Sequence, residues 1–355
     1  MARTMRAAEL DGKGGLRMAS VAVPRTPPRG ALVRVTAVGI CGSDLHKFRV
    51  LPAGSILGHE IAGVVERVGR GAPRFRVGDR IASAHHIPCG RCVYCRGGNE
   101  SQCALFRSTN LVPGGWAEYA ALSRLHLEKT AFRVPPSLTE AEASLTEPLA
   151  CCVRAVRRSG LRRGDAAVVV GLGAVGSTIA RLLRDRGVRV LARDILPEKL
   201  LFARRFAGAA PLPAGEAEAV RAVLRRTKGR GADQVLLAAG VPAAFAFALR
   251  AVRRGGAIHW FAAPDEGATV AFDPNLVYKR EVRVFSTYSS SPADLREAFR
   301  LIRTGAFPAA RLISHRLPLE RIAEGIRLIR RGAARKIILE PGASSAPEAS
   351  PCRTR

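Results

Sequence analysis

Residues 166–176 read AAVVVGLGAVG, a short apolar run that leads directly into three glycines. A run that is wholly apolar is expected for a parallel strand that is buried on both faces. Gly171, Gly173 and Gly176 have the G-x-G-x-x-G spacing, which becomes informative when it follows a strand and begins a helix. The stretch therefore predicts a strand, a tight turn and the first turn of a helix in a dinucleotide-binding fold.

Each residue of the predicted turn has a physical role. Gly171 would make the turn, Gly173 would let the backbone approach a pyrophosphate, and Gly176 would allow the helix to pack closely on the sheet. Ala174 and Val175 begin the helix, and the N–H groups at a helix N-terminus attract phosphate. We expect these five residues to bind the cofactor.

Asp194 follows the next predicted strand, roughly twenty residues beyond the glycines, where an acid hydrogen-bonds to the adenosine ribose. An acid at this position repels a 2′-phosphate, so it favours NAD over NADP. The adjacent Arg193 weakens this preference, because an arginine can accommodate the phosphate. The alternative is that Asp194 is a solvated loop residue.

The pattern around this stretch predicts alternating strands and helices, which is typical of βαβ units on a parallel sheet. Before it, β-branched runs separated by glycines (31–38, 61–68 and 80–84) predict a β-rich region. After about residue 285, the segment 291–294 is predicted to cap a helix to about residue 303, and residues 336–339 to form a last strand. The tail, 342–355, is rich in Ala, Ser and Pro and is predicted to be disordered.

Four cysteines, Cys89, Cys92, Cys95 and Cys103, have the spacing C-x2-C-x2-C-x7-C. Thiolates this close in sequence can form a tetrahedral zinc site, and nearby glycines permit the tight turns. The site would have no open position, so its role would be structural and metal binding would supply folding free energy. An iron–sulfur cluster is the chemical alternative.

A second set of candidate metal ligands consists of Cys41, His59 and Glu60. Thiolate, imidazole and carboxylate are all acceptable zinc ligands. Glu147, in a Pro-restricted segment, is a further carboxylate. Taken alone the set is only suggestive, because a buried cysteine usually just packs.

The composition is strongly basic, with 57 Lys+Arg against 29 Asp+Glu and a formal net charge of +28. The arginines are spread along the chain, which favours an interpretation as solvated helix faces over a nucleic-acid function. Aromatic residues make up only 5% of the chain, so no stacking platform supports a nucleic-acid partner. No apolar run is long enough for a membrane helix, and no signal peptide is recognisable, so we expect a cytoplasmic protein.

The motifs occur in the order C-G-S-D (41–44), G-H-E (58–60), four cysteines (89–103) and G-x-G-x-x-G (171–176). In this order, over about residues 5–340, the chain resembles the zinc-dependent medium-chain dehydrogenase/reductase family. Within that family it is most similar to the sorbitol/iditol dehydrogenase-like polyol branch, because of C-G-S-D-L-H at 41–46 and E-P-L at 147–149. Threonine dehydrogenases are close to this branch.

The resemblance implies an α/β chain with a GroES-like β-barrel catalytic domain and a Rossmann domain whose parallel sheet is doubly wound. The implied segments are 1–151 for the catalytic domain, with the structural zinc lobe at 85–105, then 152–285 for the NAD-binding domain. Residues 286–341 would return to the catalytic domain. The cleft between the two domains would hold the active-site zinc, and the chain would be a homo-oligomer, either a dimer or a tetramer.

The resemblance also implies residue roles. Cys41, His59 and Glu60 would bind the catalytic zinc, and Glu147 would be a ligand or would accept a hydrogen bond from bound water or substrate. A cysteine ligand near Glu147 is the weaker alternative, offered by Cys151 and Cys152.

Two further groups of residues are candidates for the substrate cleft. The side chains that could line it are Phe48, Phe106, Asn110 and Trp116. Lys47 and Arg49 could contact an anionic polyol, and the alternative is that both are surface charges in an arginine-rich chain.

The implied chemistry is hydride transfer between a secondary alcohol (a polyol, sugar alcohol or cyclitol) and NAD, with two zinc ions per chain. Zinc would lower the pKa of the substrate hydroxyl. Ser43 would accept the proton and pass it through the nicotinamide ribose to His46. The alternatives are a threonine-dehydrogenase-like enzyme acting on an amino alcohol and a non-catalytic relative that binds nucleic acid.

Overall fold

The computed structural model describes residues 3–342 and divides them into two compact units. Unit 1 contains residues 3–85, 110–144 and 313–342, and unit 2 contains residues 86–109 and 145–312. In the described part of the chain, no helix is long and apolar enough to cross a membrane. The predicted disordered tail lies, from residue 343 onward, outside the described residues.

The strands, in chain order, are β1 (Thr4–Leu10), β2 (Leu16–Ala22), β3 (Ala31–Gly39), β4 (Glu60–Val68), β5 (Arg80–Ser83), β6 (Tyr119–Leu122), β7 (Ala131–Arg133), β8 (Ala166–Val170), β9 (Arg189–Arg193), β10 (Ala210–Pro211), β11 (Ala232–Leu237), β12 (Val252–Trp260), β13 (Arg283–Ser286), β14 (Ile313–Pro318) and β15 (Lys336–Glu340).

The α-helices are α1 (Gly42–Lys47), α2 (Val93–Arg96), α3 (Ala104–Ser108), α4 (Arg124–Lys129), α5 (Glu140–Ser144), α6 (Thr146–Ser159), α7 (Ala174–Asp185), α8 (Pro197–Ala207), α9 (Glu216–Arg226), α10 (Pro242–Ala251), α11 (Pro274–Tyr278), α12 (Pro292–Arg303) and α13 (Ile322–Arg330). Short 3-10 helices cover Glu100–Gln102, Ala309–Leu312 and Leu319–Arg321.

Unit 2 is built on a six-stranded parallel sheet with the order β10-β9-β8-β11-β12-β13. This is the doubly wound dinucleotide-binding order, in which successive strands are added outward from β8 on one side and then, from β11 onward, on the other side. Strand β8 is the predicted apolar run, and all five of its residues are buried. The expected Rossmann sheet is therefore confirmed, and the glycine turn leaves it at the point where the side changes.

Helix α12 begins and ends where the sequence predicted. Ser291 caps it, because the Ser291 hydroxyl accepts from the Asp294 backbone N–H and the Asp294 carboxylate accepts from the Ser291 backbone N–H. Pro292 occupies the first turn, where its missing N–H costs nothing. The last residue of the helix is Arg303.

Unit 1 contains a sheet with the order β14-β15-β3-β4-β5-β7, in which β6 also pairs with β3. Strands β1 and β2 form a separate antiparallel pair. The predicted last strand, β15, comes from residues near the end of the described chain and pairs with β3. Consequently the ends of β3, β4 and β15 meet at one edge of this sheet.

The two units differ in extent from the segments that the resemblance implies. Residues 86–109 group with unit 2, and the return to unit 1 begins at residue 313. Compactness alone does not define a folding domain, so the expected boundaries at 151/152 and 285/286 stay predictions.

Candidate active site

The ends of two paired strands bring Cys41, His59 and Glu60 together in unit 1. Cys41 is the residue before α1, His59 precedes β4, and Glu60 begins β4 opposite Gly39 of β3. Candidate donor atoms of the three residues all lie within 4.8 Å of one another. A thiolate, an imidazole and a carboxylate at this separation fit a single zinc ion.

Gly39 allows the Glu60 carboxylate to lie across β3. A Cβ atom at position 39 would be 1.7 Å from Glu60 Oε2, so any larger residue would displace the carboxylate. Lys336, the first residue of β15, reaches the same point and donates to Glu60 Oε1 at 2.6 Å and to the Ile40 carbonyl at 3.1 Å. Lys336 also contacts Glu60 Oε2, so both carboxylate oxygens face its ammonium group.

Asp44 orients His59. Its fully buried carboxylate lies 3.0 Å from His59 Nδ1 and accepts a hydrogen bond from the Cys41 backbone N–H at 3.3 Å. Such a contact fixes the ring and leaves Nε2 as the metal-binding atom. The role of Asp44 was not predicted from the sequence, although a carboxylate three residues after a candidate ligand, in the first turn of a helix, was a usable signal.

The charge on Asp44 controls the ionisation of His59. Burial by itself would lower the pKa of His59, but the Asp44 carboxylate outweighs it and raises that pKa well above its usual value. Burial would raise the pKa of Asp44, yet its contact with His59 lowers it. A cation bound between Cys41 and His59 would take the place of the proton that this arrangement attracts.

Ser43 and His46 lie on the short helix that begins beside Cys41. The Ser43 hydroxyl donates to Cys41 Sγ at 3.2 Å. Ser43 and His46 are both exposed and are three residues apart, so they share one face of α1. Their proton-relay roles stay predictions.

Glu147 belongs to unit 2, whereas Cys41, His59 and Glu60 belong to unit 1. It is buried in the first turn of α6 and accepts a hydrogen bond from Cys151 Sγ at 3.5 Å. Cys152, one residue further on, is directed at the Val175 carbonyl. The roles expected for Glu147 and the two cysteines stay predictions.

Two of the residues considered for a substrate cleft lie instead in a hydrophobic core. Phe48 and Trp116 are buried in the core of unit 1, where their rings meet edge to face with centroids 6.2 Å apart. Phe106 is also buried, and its ring packs on His86 in unit 2. These aromatic side chains pack in the protein interior and stabilise it, as buried aromatic residues usually do.

The four-cysteine segment brings the sulfur atoms of Cys89, Cys92, Cys95 and Cys103 within 4.8 Å of one another. Backbone N–H groups of Arg91 and Cys92 donate to Cys89 Sγ and lower its pKa to about 6. Burial raises the pKa of Cys95 to about 12. Four converging thiol groups with no other ligand position fit a structural zinc ion.

A buried ion cluster attaches this four-cysteine segment to α6. The guanidinium of Arg154, which is 1% exposed, donates to Glu100 at 2.9 Å and to the Gly98 carbonyl at 2.8 Å, both within the segment. Arg154 also approaches Asp294 of α12, which Arg157 contacts at 3.0 Å. The cluster explains why residues 86–109 group with unit 2, and sequence spacing gave no sign of it.

The predicted nucleotide-binding turn has the expected backbone. Gly171 adopts a φ of +86°, and Gly173 immediately precedes α7. A Cβ at Gly176 would lie 1.8 Å from the Gly171 carbonyl, so only glycine lets α7 begin this close to the turn. Ala174 and Val175 form the first turn of α7, whose N–H groups are available to phosphate.

Asp194 is a structural acceptor as well as a candidate ribose ligand. One carboxylate oxygen accepts from the Leu172 N–H at 2.6 Å, and the other accepts from the Leu196 N–H at 3.0 Å. The neighbouring Arg193 donates to the Pro213 carbonyl at 3.1 Å and stacks on the Phe247 ring at 4.7 Å. The Arg193 guanidinium is therefore already engaged within the protein.

Comparisons with known proteins agree with this architecture. The alcohol dehydrogenase GroES-like domain matches residues 27–131, and the zinc-binding dehydrogenase domain matches residues 174–304. The erythritol/L-threitol dehydrogenase of Mycolicibacterium smegmatis is 30% identical over 92% of this chain and 95% of its own length. The L-threonine 3-dehydrogenase of Bacillus subtilis is 28% identical, with 93% and 96% covered.

Among solved structures, a zinc-binding dehydrogenase from Sinorhizobium meliloti bound to NADP superimposes with a TM-score of 0.84. It is 29% identical, and the match covers 96% of this chain and 100% of that one. The second matched domain is that of zinc-binding dehydrogenases, and the Sinorhizobium protein was solved with NADP bound. The chain belongs to the zinc-dependent medium-chain dehydrogenase/reductase family and is an oxidoreductase of CH–OH donors.

Proposed function

We propose that the protein oxidises a secondary alcohol of a polyol, sugar alcohol or cyclitol with NAD, at a zinc ion bound by Cys41, His59 and Glu60. The observation that carries the proposal is the convergence of these three donors within 4.8 Å, with Asp44 behind His59. The likeness to an erythritol/L-threitol dehydrogenase over nearly the whole chain supports a polyol substrate.

Bound zinc would supply a Lewis acid for the substrate hydroxyl, and NAD would accept the hydride. Residues of the chain would then transfer the proton from the substrate to solvent. Ser43 would take it from the substrate hydroxyl, and His46, which is exposed, would release it to solvent. Glu147 would hold water or substrate by hydrogen bonding, or would replace Glu60 as a ligand when Lys336 retains the Glu60 carboxylate.

Activity measurements on zinc-replete protein test this proposal. We expect turnover with NAD on at least one polyol or cyclitol, and no turnover after Cys41→Ala or His59→Ala, while NADH binding is retained. His315→Ala, a change to a partly buried histidine on β14 of the same unit, is the matched control and should keep turnover. Unchanged turnover in either ligand variant would contradict the site assignment.

Metal analysis gives a second, independent test. We expect two zinc ions per chain, one at Cys41, His59 and Glu60 and one at the four cysteines from Cys89 to Cys103. The thiol groups at each site support this stoichiometry. One zinc ion per chain with full activity would mean that one of the two assignments is wrong.

A threonine-dehydrogenase-like activity is the second candidate, and the 28% identity to a Bacillus threonine dehydrogenase over most of both chains favours it. Activity assays with both polyols and L-threonine as substrates, which form one substrate panel, distinguish the two activities. The panel should also contain a phosphorylated polyol, because Lys47 and the exposed Arg49 follow the ligand Cys41 closely. Turnover of that compound would make these two cations candidates for substrate binding.

Two further properties belong to the same proposal. We expect a homo-oligomer, either a dimer or a tetramer, and light scattering of the purified protein would measure its mass. We also expect the protein in the cytoplasm, which cell fractionation would test. A monomer would contradict the first expectation without affecting the catalytic assignment.

A further inference from the structure

The arginines that are scattered through the sequence of unit 2 are collected at one edge by its fold. All six strands of the sheet are parallel, so the segments that lead into them meet at the amino-terminal edge. We define the basic edge as five of these segments: residues 162–163, 186–189, 226–230, 253–254 and 279–283. Together they contain twelve Lys+Arg and a single carboxylate, Glu281.

Hydrogen bonds show that neighbouring segments of the basic edge are adjacent in space. The Arg189 side chain donates to the Gly164 carbonyl at 3.2 Å and to the Arg226 carbonyl at 3.3 Å, which joins three of the segments. The Gly255 N–H donates to the Arg280 carbonyl at 2.7 Å, which joins the other two. Ala232 at the start of β11 pairs with Val252 at the start of β12, which places the two groups side by side. The basic edge therefore lies along one edge of the sheet, at the opposite end of the strands from the cofactor glycines.

Part of this charge is engaged by other groups among the described residues. Arg230, for example, helps to lower the pKa of Asp233. Helices α7, α9 and α10 end at this edge, and cations there offset helix dipoles. Arg189 and Arg280 donate to carbonyls, and Arg253 pairs with Asp233 at 2.6 Å. In the described chain, the exposed guanidinium groups of Arg163, Arg230 and Arg254 make no hydrogen bond and no close ion pair.

We propose that the basic edge binds the phosphate backbone of double-stranded nucleic acid. Guanidinium groups present a planar fork of donors that matches phosphate oxygens. The five segments contain no aromatic residue, and the exposed Tyr278 that adjoins the fifth offers one ring beside twelve cations. Stacking of successive unpaired bases needs several rings, so this surface favours a duplex over a single strand. The first four segments also contain no exposed large apolar side chain that would insert into a membrane.

A charge-reversal comparison tests the proposal. The edge variant carries Arg163→Glu, Arg230→Glu and Arg254→Glu. The control variant carries Arg25→Glu, Arg67→Glu and Arg70→Glu, three exposed arginines of unit 1, and it changes the net charge equally. Binding of a short, fluorescently labelled duplex of random sequence is measured by anisotropy at several salt concentrations, with a single strand and anionic vesicles as further probes.

We expect the wild-type protein and the control variant to bind the duplex, and the edge variant to bind at least about tenfold more weakly. The slope of log K against log salt should become shallower by about 0.9 for each phosphate that the variant no longer neutralises. Equal weakening of both variants, tighter binding to the single strand, or binding only to the vesicles would overturn the proposal. If the edge variant does not fold, the corresponding three Arg→Gln changes give the same comparison.

Discussion

Asp44 determines which nitrogen of His59 is available to a metal. Its carboxylate contacts Nδ1 at 3.0 Å and has no exposure to solvent, so the ring cannot turn without leaving a charge buried and unpaired. The Cys41 N–H donates to the same carboxylate. One acid thereby holds the backbone of one candidate ligand and the side chain of another.

Replacing Asp44 with Asn should therefore weaken zinc at this site while leaving the shape of the side chain nearly unchanged. We expect zinc affinity to fall by about 10- to 100-fold, as is typical when the partner of a ligating histidine is removed. Competition with a chelator measures this, and the zinc at the four cysteines serves as an internal reference. Glu128→Gln, a change to a surface acid of unit 1 that pairs with Arg124, is the control.

Replacing Asp194 should affect both stability and cofactor binding, because its carboxylate accepts hydrogen bonds from two backbone N–H groups. Asp194→Ala removes both acceptors, and each unpaired N–H costs about 1–3 kcal/mol. The variant should therefore be less stable. Because the ribose also loses one acceptor, worth about 1–3 kcal/mol, NADH should bind roughly 5- to 150-fold more weakly, whereas NADPH should lose less affinity because its phosphate is no longer repelled. Asp194→Asn keeps one acceptor and should weaken binding less. Equal losses of affinity for NADH and NADPH in the Ala variant would contradict a role of Asp194 in choosing between the two cofactors.

Residue types alone were enough to suggest Cys41, His59, Glu60 and the four cysteines, because these side chains are the usual zinc ligands. The partners that hold them were not predictable in the same way. Lys336 is 276 residues from Glu60 in sequence, and only the pairing of β15 with β3 brings the two together. Residues so far apart in sequence form no local sequence pattern from which their contact could be predicted.

Helix α6 carries both Glu147 and the arginines that attach the four-cysteine segment to unit 2. Glu147 lies in its first turn. Buried Arg154 lies about two turns later and half-exposed Arg157 about three turns later, in an ion cluster with Glu100 and Asp294. The four-cysteine segment is therefore fixed to the same helix that carries Glu147. Disruption of the ion cluster should therefore displace both the four-cysteine segment and Glu147.

Arg154→Leu should destabilise unit 2 strongly. Removing one partner from a buried ion pair leaves uncompensated charge and costs about 3–5 kcal/mol. Urea unfolding measures the change, and a weak chelator reports whether zinc at the four cysteines is released sooner. Arg300→Leu breaks the exposed Arg300–Glu297 pair and should cost at most about 1 kcal/mol. Similar destabilisation of both variants would contradict a buried cluster.

Elements with a strong local signal were predicted closely, as β8 and α12 show. Strand β12 has no comparable local signal, because its first residues bulge between Val252 and Ala257, where the register against β11 shifts. The attachment of the four-cysteine segment was not predictable. It depends on where α6 and α12 pack, and isolated arginines look the same whether they are solvated or buried.

For the molecule as a whole, His259 should make stability depend on pH. It is fully buried, its Nε2 contacts Thr287 at 2.8 Å, and burial, followed by the charge of Arg158, lowers its pKa to about 4. In the unfolded chain a histidine has a pKa of about 6.5. Between these values only the unfolded state binds the proton, so stability falls as the pH decreases through this window.

The comparison that isolates this effect uses His259→Gln, which does not titrate. From pH 7.5 to 5 we expect the free energy of unfolding to fall by about 2 kcal/mol more in the wild-type protein than in the variant. Urea unfolding at the two pH values measures the difference, and other titrating groups cancel between the two proteins. Parallel decreases would mean that His259 is protonated in the folded state.

The pairing of Lys336 with Glu60 has a consequence for biosynthesis. A ribosome that has made the first 300 residues has already released Cys41, His59 and Glu60, but it has not yet made β15. Until that strand emerges, the Glu60 carboxylate lacks its cation and the sheet lacks the strand that borders β3. The four cysteines and their anchor, by contrast, are complete once α12 has been translated. The nascent chain should therefore complete the four-cysteine site before the site formed by Cys41, His59 and Glu60.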